Sequence, residues 1–271
     1  MAEITIADEL ALHYEFSGDP SGPLLVFVNG LLTDRGSWAA HLPHFSSYRC
    51  LTWDCRGQGR SSKPAAPSYP VATHADDLAA LLDALAPGEP IAIVGLSNGA
   101  AAALDFASAR PRRVRSLVLG GAYARVDEAL RLKLRSWIAA MRAGGAGLRF
   151  DVATPWVWGP RFLAEHAQAL AGYRERGLAL DLEAAERLIA GAMVHDLDDD
   201  RLGRIVAPTL ICVGDDDVLT PPSSARAIAE ALPVARLEPM PGLGHAAALE
   251  DVEGFSRLAR RWIDATMLAP S

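Results

Sequence analysis

The sequence contains few cysteines and no long apolar run. Its three cysteines, Cys50, Cys55 and Cys212, lack the spacing of a zinc or redox motif, which predicts free, buried thiols and no bound metal. Eighteen consecutive apolar residues occur nowhere, and the first residues lack the basic start and apolar stretch of a signal peptide. We therefore expect a cytoplasmic protein that makes no membrane contact.

Positive charge is also scarce. The chain carries 26 Lys and Arg residues against 33 Asp and Glu residues, which gives a formal net charge of −7 at pH 7. This balance opposes binding to nucleic-acid phosphates or to an anionic membrane surface. The expected partner is a small molecule, no motif calls for a cofactor, and association into a homodimer stays open.

Short apolar runs alternate with helix-like segments over most of the chain. The apolar runs predict strands at Leu10–Phe16, Leu24–Asn29, Tyr48–Trp53, Ile91–Leu96, Val114–Leu119, Thr209–Val213 and Ala235–Pro239. The segments between them predict helices at Ser37–His44, Val71–Leu85, Asn98–Ala109, Ser223–Leu232 and within Ala247–Met267. The simplest architecture is an α/β fold with a mostly parallel central sheet and helices on both faces.

The alternation breaks in the middle of the chain, where no strand pattern occurs. Apolar residues recur there at helical spacing in two stretches, and Thr154–Pro160 is predicted to be a rigid aromatic connection between the two helices. We therefore expect a core interrupted by a helical insertion, with residues 1–122 and 205–271 in the core and residues 123–204 in the insertion.

A candidate nucleophile follows the predicted strand Ile91–Leu96. The sequence Gly95-Leu-Ser-Asn-Gly99 lies between this strand and a helix, which is the setting of the G-x-S-x-G nucleophile elbow. The two glycines leave space for a tight turn, so that Ser97 projects at the carboxyl end of the sheet. The alternative is an ordinary strand–helix turn that contains a serine by chance.

A serine hydroxyl becomes a good nucleophile only when a base removes its proton. His245, in Gly242-Leu-Gly-His245, is the histidine that lies in a glycine-rich loop after the last predicted strand. We therefore predict that His245 is the base. Four other histidines fall in helical or surface-like stretches and are expected to face solvent: His41, His44, His166 and His195.

The base in turn needs a carboxylate to orient it. Three adjacent aspartates, Asp215, Asp216 and Asp217, follow the predicted strand Thr209–Val213. We choose Asp217, because the loop must turn before its carboxylate reaches the histidine. Asp215 and Asp216 then serve as solvated turn residues.

The tetrahedral intermediate of such a reaction needs two hydrogen-bond donors for its oxyanion. One predicted donor is the backbone N–H of Asn98, the residue after the nucleophile. The other is the backbone N–H of Leu31, in the loop Asn29-Gly-Leu-Leu32 that follows the strand Leu24–Asn29. A simple chain reversal at Asn29-Gly30 is compatible with this role.

Taken in chain order, these motifs closely resemble those of the α/β-hydrolase superfamily, in which the nucleophile, the acid and the histidine follow one another. The nearest likeness is to the 3-oxoadipate enol-lactonases. Asn29-Gly-Leu-Leu-Thr-Asp-Arg-Gly-Ser-Trp38 is similar to their Asn-Ser-Leu-Gly-Thr-Asp-x-x-x-Trp segment, and Trp137 followed by Arg142-Ala-Gly-Gly145 is also similar. Its departures from them include Gly30 in place of Ser, Gln58 in place of a common His and Asn98 in place of an apolar residue.

The resemblance implies the α/β-hydrolase fold, with the helical insertion as a cap over the active site. Aromatic and sulfur-containing residues of this cap would line an apolar substrate pocket: Trp137, Met141, Trp156, Trp158 and Met193. Arg135, Arg142 and Arg161 could pair with a substrate carboxylate, but each is more simply a solvated surface charge.

The expected activity is hydrolysis of a small carboxylic ester or lactone, an acyl substrate, through an acyl-enzyme on Ser97. The same three residues also serve acyl transfer to an alcohol, carbon–carbon bond hydrolysis and peptide-bond cleavage. A ligand receptor that binds its signal without rapid turnover is the alternative outside enzymology. The residues fix neither the length of the acyl chain nor whether the substrate is cyclic.

Overall fold

The computed structural model describes residues 2–6 and 10–267, and in that part of the chain eight strands form a single sheet. In chain order they are β1 (Ala2–Thr5), β2 (Ala11–Gly18), β3 (Leu24–Val28), β4 (Arg49–Trp53), β5 (Ile91–Leu96), β6 (Val114–Gly120), β7 (Thr209–Gly214) and β8 (Ala235–Met240). Their order across the sheet is β1-β2-β4-β3-β5-β6-β7-β8. Strand β2 runs antiparallel to β1 and β4, and the five remaining pairs are parallel. The prediction of a mostly parallel sheet is therefore confirmed.

Strand β3 shows why the central strands are continuous apolar runs. All five of its residues are buried. Leu24, Val26 and Val28 pack into one hydrophobic cluster, while Leu25 and Phe27 pack into a second. Successive side chains of a strand point to opposite faces, so a sheet covered on both faces needs apolar residues at every position.

Helices supply this cover on the two faces. In the described residues they are α1 (Val71–Leu85), α2 (Asn98–Ala109), α3 (Glu128–Val157), α4 (Pro160–Glu165), α5 (Ala167–Gly177), α6 (Leu182–Ala192), α7 (Asp199–Leu202), α8 (Pro222–Ala231), α9 (Ala247–Glu250) and α10 (Val252–Met267). Helices α1, α2 and α8 contribute to the cluster that contains Val26. Helix α10 contributes Phe255 and Ile263 to the cluster that contains Phe27. Over this same part of the chain, no helix is both long enough and apolar enough to cross a membrane.

The prediction of one helix at Ser37–His44 is wrong. The chain instead forms two short 3₁₀ helices, Arg35–Trp38 and Leu42–Phe45. Pro43 has no backbone N–H and therefore interrupts the hydrogen bonding of a continuous helix. The side chain of Asp34 caps the first of the two by accepting a hydrogen bond of 2.7 Å from the N–H of Gly36.

Two further differences lie at the ends of the chain. Strand β1 was not expected, because its short sequence Ala-Glu-Ile-Thr has little apolar pattern. The closing helix is divided into α9 and α10 at Asp251, whose backbone leaves the helical region at φ −131° and ψ 76°. Asp251 also accepts a hydrogen bond of 2.8 Å from the N–H of Gly254, which caps α10.

The segment between β6 and β7 contains helices α3 to α7 and no strand, and its residues are all described. Helix α3 is bent at Gly144 and Gly145, whose backbones have φ values of −153° and 71°. The predicted connection Thr154–Pro160 is wrong in its first half, because α3 continues to Val157. Pro155 removes only the hydrogen bond to the carbonyl of Asp151, an exposed residue that water can solvate.

The three cysteines are free and buried, which confirms their prediction. Burial in apolar surroundings raises the pKa of Cys50 and of Cys212 to about 12. These thiols therefore stay protonated and serve as small packing groups.

Candidate active site

Ser97 occupies a sharp turn between β5 and α2. Its backbone has φ 52° and ψ −118°, a region that residues with a side chain seldom adopt. A Cβ on Gly95 would lie 2.7 Å from the carbonyl oxygen of Gly99, and a Cβ on Gly99 would overlap the carbonyl oxygen of Val28. Only glycine fits at both positions, so the turn holds the serine in its strained conformation at the carboxyl end of β5.

Ser97 begins a chain of two hydrogen bonds. Its Oγ lies 2.9 Å from Nε2 of His245, and Nδ1 of His245 lies 2.9 Å from Oδ2 of Asp217. The side chains of His245 and Asp217 are 7% and 0% exposed. His245 is thus placed to accept the Ser97 proton through Nε2 while its Nδ1–H donates to the carboxylate.

The loop after β7 explains why Asp217, and neither of its two neighbours, reaches the histidine. Its Oδ1 accepts hydrogen bonds from the N–H groups of Leu219 at 2.9 Å and Thr220 at 2.8 Å. These donors fix the carboxylate with Oδ2 turned to His245. Asp215 and Asp216 are exposed on the outer side of the turn.

Thr220 is a site residue that sequence reasoning missed. Its Oγ1 lies 3.0 Å from Nδ1 of His245, 3.0 Å from Oδ2 of Asp217 and 3.1 Å from the carbonyl oxygen of Gly121. The hydroxyl therefore ties the acid and the base to the end of β6. A threonine three residues after an aspartate carries no sequence signal of such a role, since Gly121 and His245 come from distant parts of the chain.

Thr220→Val is expected to lower kcat about tenfold with little change in KM, because loss of one hydrogen bond in this network corresponds to about 1.4 kcal/mol. Thr220→Ser keeps the hydroxyl and should retain most of the activity. Steady-state kinetics on an ester substrate tests both variants. Equal rates in wild type and Thr220→Val would assign Thr220 a packing role only.

The predicted oxyanion donors come from two neighbouring segments. Asn98 begins α2 directly after Ser97, and Leu31 follows β3. A Cβ on Gly30 would lie 3.5 Å from Cβ of Ser97, so the loop after β3 runs beside the serine. Both residues border the cavity described below. The side chain of Asn98 accepts a hydrogen bond of 2.7 Å from the hydroxyl of Tyr123, a second buried site residue that sequence reasoning missed.

Gln58 holds the loop that carries Leu31. Its Oε1 accepts hydrogen bonds from Nδ2 of Asn29 at 2.9 Å and from the N–H of Thr33 at 3.2 Å. Asn29 also donates to the carbonyl of Thr33 at 3.1 Å. Gln58, which departs from the enol-lactonase pattern, therefore holds this loop in place through its side-chain oxygen.

A cavity of about 1100 Å³ opens in front of Ser97. Residues of the loop after β3, of β5, and of helices α3, α5 and α6 line it, together with Thr220 and His245. Trp137 and Trp158 are in its wall, in agreement with their predicted positions. Three other predicted pocket residues are not.

Met141, Trp156 and Met193 need correction, because none of them borders the cavity. Met141 is buried in the main hydrophobic cluster, and Trp156 and Met193 pack against the same cluster while half-buried. Met141 follows Trp137 by about one helical turn, before the bend of α3, but its side chain packs inside the cluster and does not reach the cavity. These side chains hold the helices together instead of facing a substrate.

Two histidine predictions also need correction. His41 and His195 are buried, not solvent-facing, whereas His44 and His166 are exposed as expected. Burial lowers the pKa of His41 to about 4, so this ring is neutral at pH 7 and its Nδ1 lies 2.9 Å from Oγ of Ser256. Burial also lowers the pKa of His195, which packs against the ring of Tyr123.

The main chain after α3 rests directly on the His245 loop. The carbonyl of Val157 accepts a hydrogen bond of 2.8 Å from the N–H of Ala246. A Cβ on Gly159 would lie 2.7 Å from the backbone nitrogen of Gly244. Oε1 of Glu250 accepts hydrogen bonds from the N–H groups of both glycines, at 3.0 and 3.1 Å. The end of α3 and the residues after it are thus fixed to the loop that carries His245, mainly through backbone groups.

The chain belongs to the family of proteins with the α/β hydrolase fold, whose model matches residues 23–252. This confirms the superfamily and the fold class that the motifs predict. A curated relative is RutD of Variovorax paradoxus, a protein named for carbamate hydrolysis, which is 30% identical over 251 residues that make up 92% of this chain and 94% of that protein. RutD of Caulobacter vibrioides is 29% identical over 94% of this chain and 96% of its own length.

Solved structures of hydrolases are similar over nearly the whole chain. MGS-M2, an α/β hydrolase from a deep-sea metagenome of the Medee basin, has a TM-score of 0.91 and 28% identity over 100% of both chains. A thermophilic esterase from Thermogutta terrifontis has a TM-score of 0.87 and 26% identity over 98% of both chains. The enol-lactonase of Burkholderia xenovorans LB400 has a TM-score of 0.88 over 97% of this chain and 100% of its own, and at 23% identity it shows a shared fold.

Proposed function

We propose that this protein is a serine hydrolase that cleaves a small carboxylic ester or lactone through an acyl-enzyme on Ser97. The observation that carries the proposal is the hydrogen-bonded chain from Ser97 Oγ through His245 to Asp217, with 2.9 Å at each step, beside a cavity large enough for a small molecule. The esterase of Thermogutta terrifontis, which is 26% identical, supports the ester substrate class.

The proposed reaction begins with acylation of Ser97. As Oγ of Ser97 attacks the substrate carbonyl, its proton passes to Nε2 of His245. The backbone N–H groups of Leu31 and Asn98 are the proposed donors to the oxyanion. The carbon–oxygen bond of the ester then breaks, and the leaving oxygen takes the proton from His245, which leaves an acyl group on Ser97.

Water completes the cycle. His245 removes a proton from the water as the water oxygen attacks the acyl carbon, and collapse of this second intermediate returns the proton to Ser97. The products are the acid and the alcohol, which remain one molecule when the substrate is a lactone. Asp217 keeps its charge throughout and stabilises the imidazolium that forms twice.

We further propose that residues 123–204 form a cap over a core of residues 1–122 and 205–271. Trp137 on α3, Tyr173 on α5 and Leu188 on α6 border the same cavity as Ser97. This arrangement excludes part of the solvent from the reacting carbonyl and strengthens electrostatic interactions there. The cap residues in the cavity wall would then select the substrate.

Carbamate hydrolysis is a second candidate, favoured by the RutD relatives that cover almost the whole chain. A carbamate carbonyl presents the same electrophile to Ser97, with an amide nitrogen on one side of the carbonyl carbon. The two candidates differ in the ratio of ester to carbamate turnover. Turnover is therefore measured on both esters and carbamates.

Purified protein is expected to form a covalent adduct with a fluorophosphonate and to release p-nitrophenol from short p-nitrophenyl esters, with a burst if deacylation is slow. Mass spectrometry should place the adduct on Ser97. Ser37→Ala is a matched control, because Ser37 is another serine that borders the cavity. The absence of both an adduct and turnover on esters, lactones, thioesters and carbamates would contradict the proposal and favour a ligand receptor.

A further inference from the structure

Arg149 is a buried arginine in the wall of the cavity. It lies in the second half of α3, after the bend at Gly144–Gly145, and only 8% of its surface is exposed. Its guanidinium lies 5.8 Å from the ring centre of Phe150. Both residues border the same cavity as Ser97 and His245.

Within the described residues, Arg149 has no carboxylate partner and its buried Nε donates no hydrogen bond. Three other arginines of α3 and α5 do have such partners: Arg131 pairs with Glu128, Arg142 with Glu186 and Arg174 with Asp151. A mostly buried guanidinium without a carboxylate partner is costly, because burial removes water from the charge and no protein acceptor replaces the hydrogen bond lost at Nε. The loss of hydration lowers the pKa of Arg149 to about 10, so it still carries a positive charge at pH 7.

Neither of the two acidic residues in the described cavity wall forms an ion pair with Arg149. These two residues, Asp34 and Asp181, each accept a hydrogen bond from a backbone N–H at the start of a helix. The donor is Gly36 at 2.7 Å for Asp34 and Ala184 at 2.9 Å for Asp181. A Cβ on Gly177, the last residue of α5, would lie 3.5 Å from Nη2 of Arg149. The carboxyl end of α5 therefore supplies only a partial negative charge.

The position of Arg149 suits one end of a bound substrate. Val157, which hydrogen-bonds to the main chain beside His245, lies eight residues further along α3. At the rise of an α-helix this corresponds to about 12 Å between the two Cα atoms. Arg149 thus borders the same cavity as Ser97, about two helical turns before the contact between α3 and the His245 loop.

We propose that Arg149 is a specificity-determining residue that binds a carboxylate of the substrate, so that the substrate is an ester or lactone with an acidic group in addition to the carbonyl under attack. The inference rests on the proposed function and names its substrate class. A carboxylate fits the planar fork of a guanidinium with two parallel hydrogen bonds. A bound substrate carboxylate would be the hydrogen-bond acceptor that Arg149 lacks within the described residues of the protein.

The test compares monomethyl esters of linear dicarboxylic acids, from succinate to suberate, with methyl esters of monocarboxylic acids of the same chain length. Initial rates of acid release are followed in a pH-stat. Arg149→Met is expected to lower kcat/KM for the best acidic ester by about 10- to 100-fold, mainly through KM, because a charge-assisted hydrogen-bonded pair is lost. The rate on the neutral ester of the same length should change less than about threefold.

Two further variants complete the comparison. Arg149→Lys keeps the charge without the fork and should fall between wild type and Arg149→Met, which also secures the test if the methionine variant does not fold. Arg142→Met is the matched control, because Arg142 lies on the same helix, is exposed and does not border the cavity. It should leave both rates unchanged. Equal losses on acidic and neutral esters in the Arg149 variants would overturn the proposal.

A binding measurement separates this proposal from the proposed function. Adipate is titrated into Ser97→Ala protein and into the same variant with Arg149→Met, and the fluorescence of Trp137 and Trp158 in the cavity wall reports binding. Tighter binding by at least tenfold when Arg149 is present supports the carboxylate site even if no ester is turned over. Equal affinities would overturn it even if Ser97 proves to be the nucleophile.

Discussion

Ser97→Ala is expected to lower kcat for ester hydrolysis by a factor on the order of 10⁵ to 10⁶. The hydroxyl is the atom that forms the acyl-enzyme, and no water can take over its place without a different geometry. His245 and the Leu31 and Asn98 N–H groups remain, so binding of the substrate should change little. Steady-state kinetics with an aryl ester measures the effect on kcat and KM separately.

The control is Ser37→Ala, which removes a second hydroxyl from the wall of the same cavity. It should retain activity within about threefold of wild type. Circular dichroism establishes that both variants are folded. Removal of a catalytic serine in other serine hydrolases leaves a residual rate far below about 1% of wild type. If Ser97→Ala kept more than about 1% of the wild-type rate, the nucleophile would be another group.

Asp217→Asn is expected to lower kcat by about 10⁴-fold, with the fold intact. Oδ1 of Asp217 accepts two backbone N–H groups, from Leu219 and Thr220, and an asparagine would keep its oxygen at these donors. Its NH₂ group would then face Nδ1 of His245 and force the ring to carry its proton on Nε2. In that tautomer the histidine cannot accept the proton of Ser97.

The neighbouring aspartates provide matched controls. Asp215→Asn and Asp216→Asn make the same chemical change two residues and one residue away, at exposed positions, and should stay within about threefold of wild-type kcat. The pH dependence of kcat is recorded for all three variants. A large loss in Asp215→Asn or Asp216→Asn, with little loss in Asp217→Asn, would assign the acid to a different carboxylate than the structure indicates.

The three residues of the hydrogen-bonded chain, Ser97, His245 and Asp217, could be predicted because each lies in a local sequence pattern that has a structural reason. Ser97 is flanked by the glycines that its tight turn requires, and His245 lies in the glycine-rich loop after the last strand. Asp217 followed from the need for the loop after β7 to turn. The βα alternation predicted the sheet for a similar reason, since a strand covered on both faces must be continuously apolar.

The residues that hold this hydrogen-bonded chain and the neighbouring Asn98 in place could not be predicted in this way. Thr220 and Tyr123 act through contacts with groups that are distant in sequence, Thr220 with Gly121 and His245, and Tyr123 with Asn98. Their neighbours in the sequence do not indicate these partners. The burial of His41 could not be predicted for the same reason, because its hydrogen-bond partner Ser256 lies on α10, far away in the sequence.

The cavity wall was only partly predictable, because helical periodicity holds only while a helix is continuous. Trp137 lies before the bend of α3 and was placed correctly in the wall. The non-helical backbone at Gly144 and Gly145 resets the phase, so the apolar pattern of the first half does not extend to the second. Arg149 was overlooked for this reason, whereas the three arginines considered from the sequence are all exposed.

The backbone contact between Gly159 and Gly244 bears on how the specificity of this protein can diverge. Because the region after α3 meets the histidine loop through main-chain atoms, exchanging side chains elsewhere on α3, α5 or α6 leaves that junction untouched. Mutational drift can then reshape the wall around Trp137, Phe150 or Leu188 while the position of His245 is conserved. Libraries confined to these wall positions should therefore yield altered substrate preference at a far higher frequency than libraries that include Gly159 or Gly244.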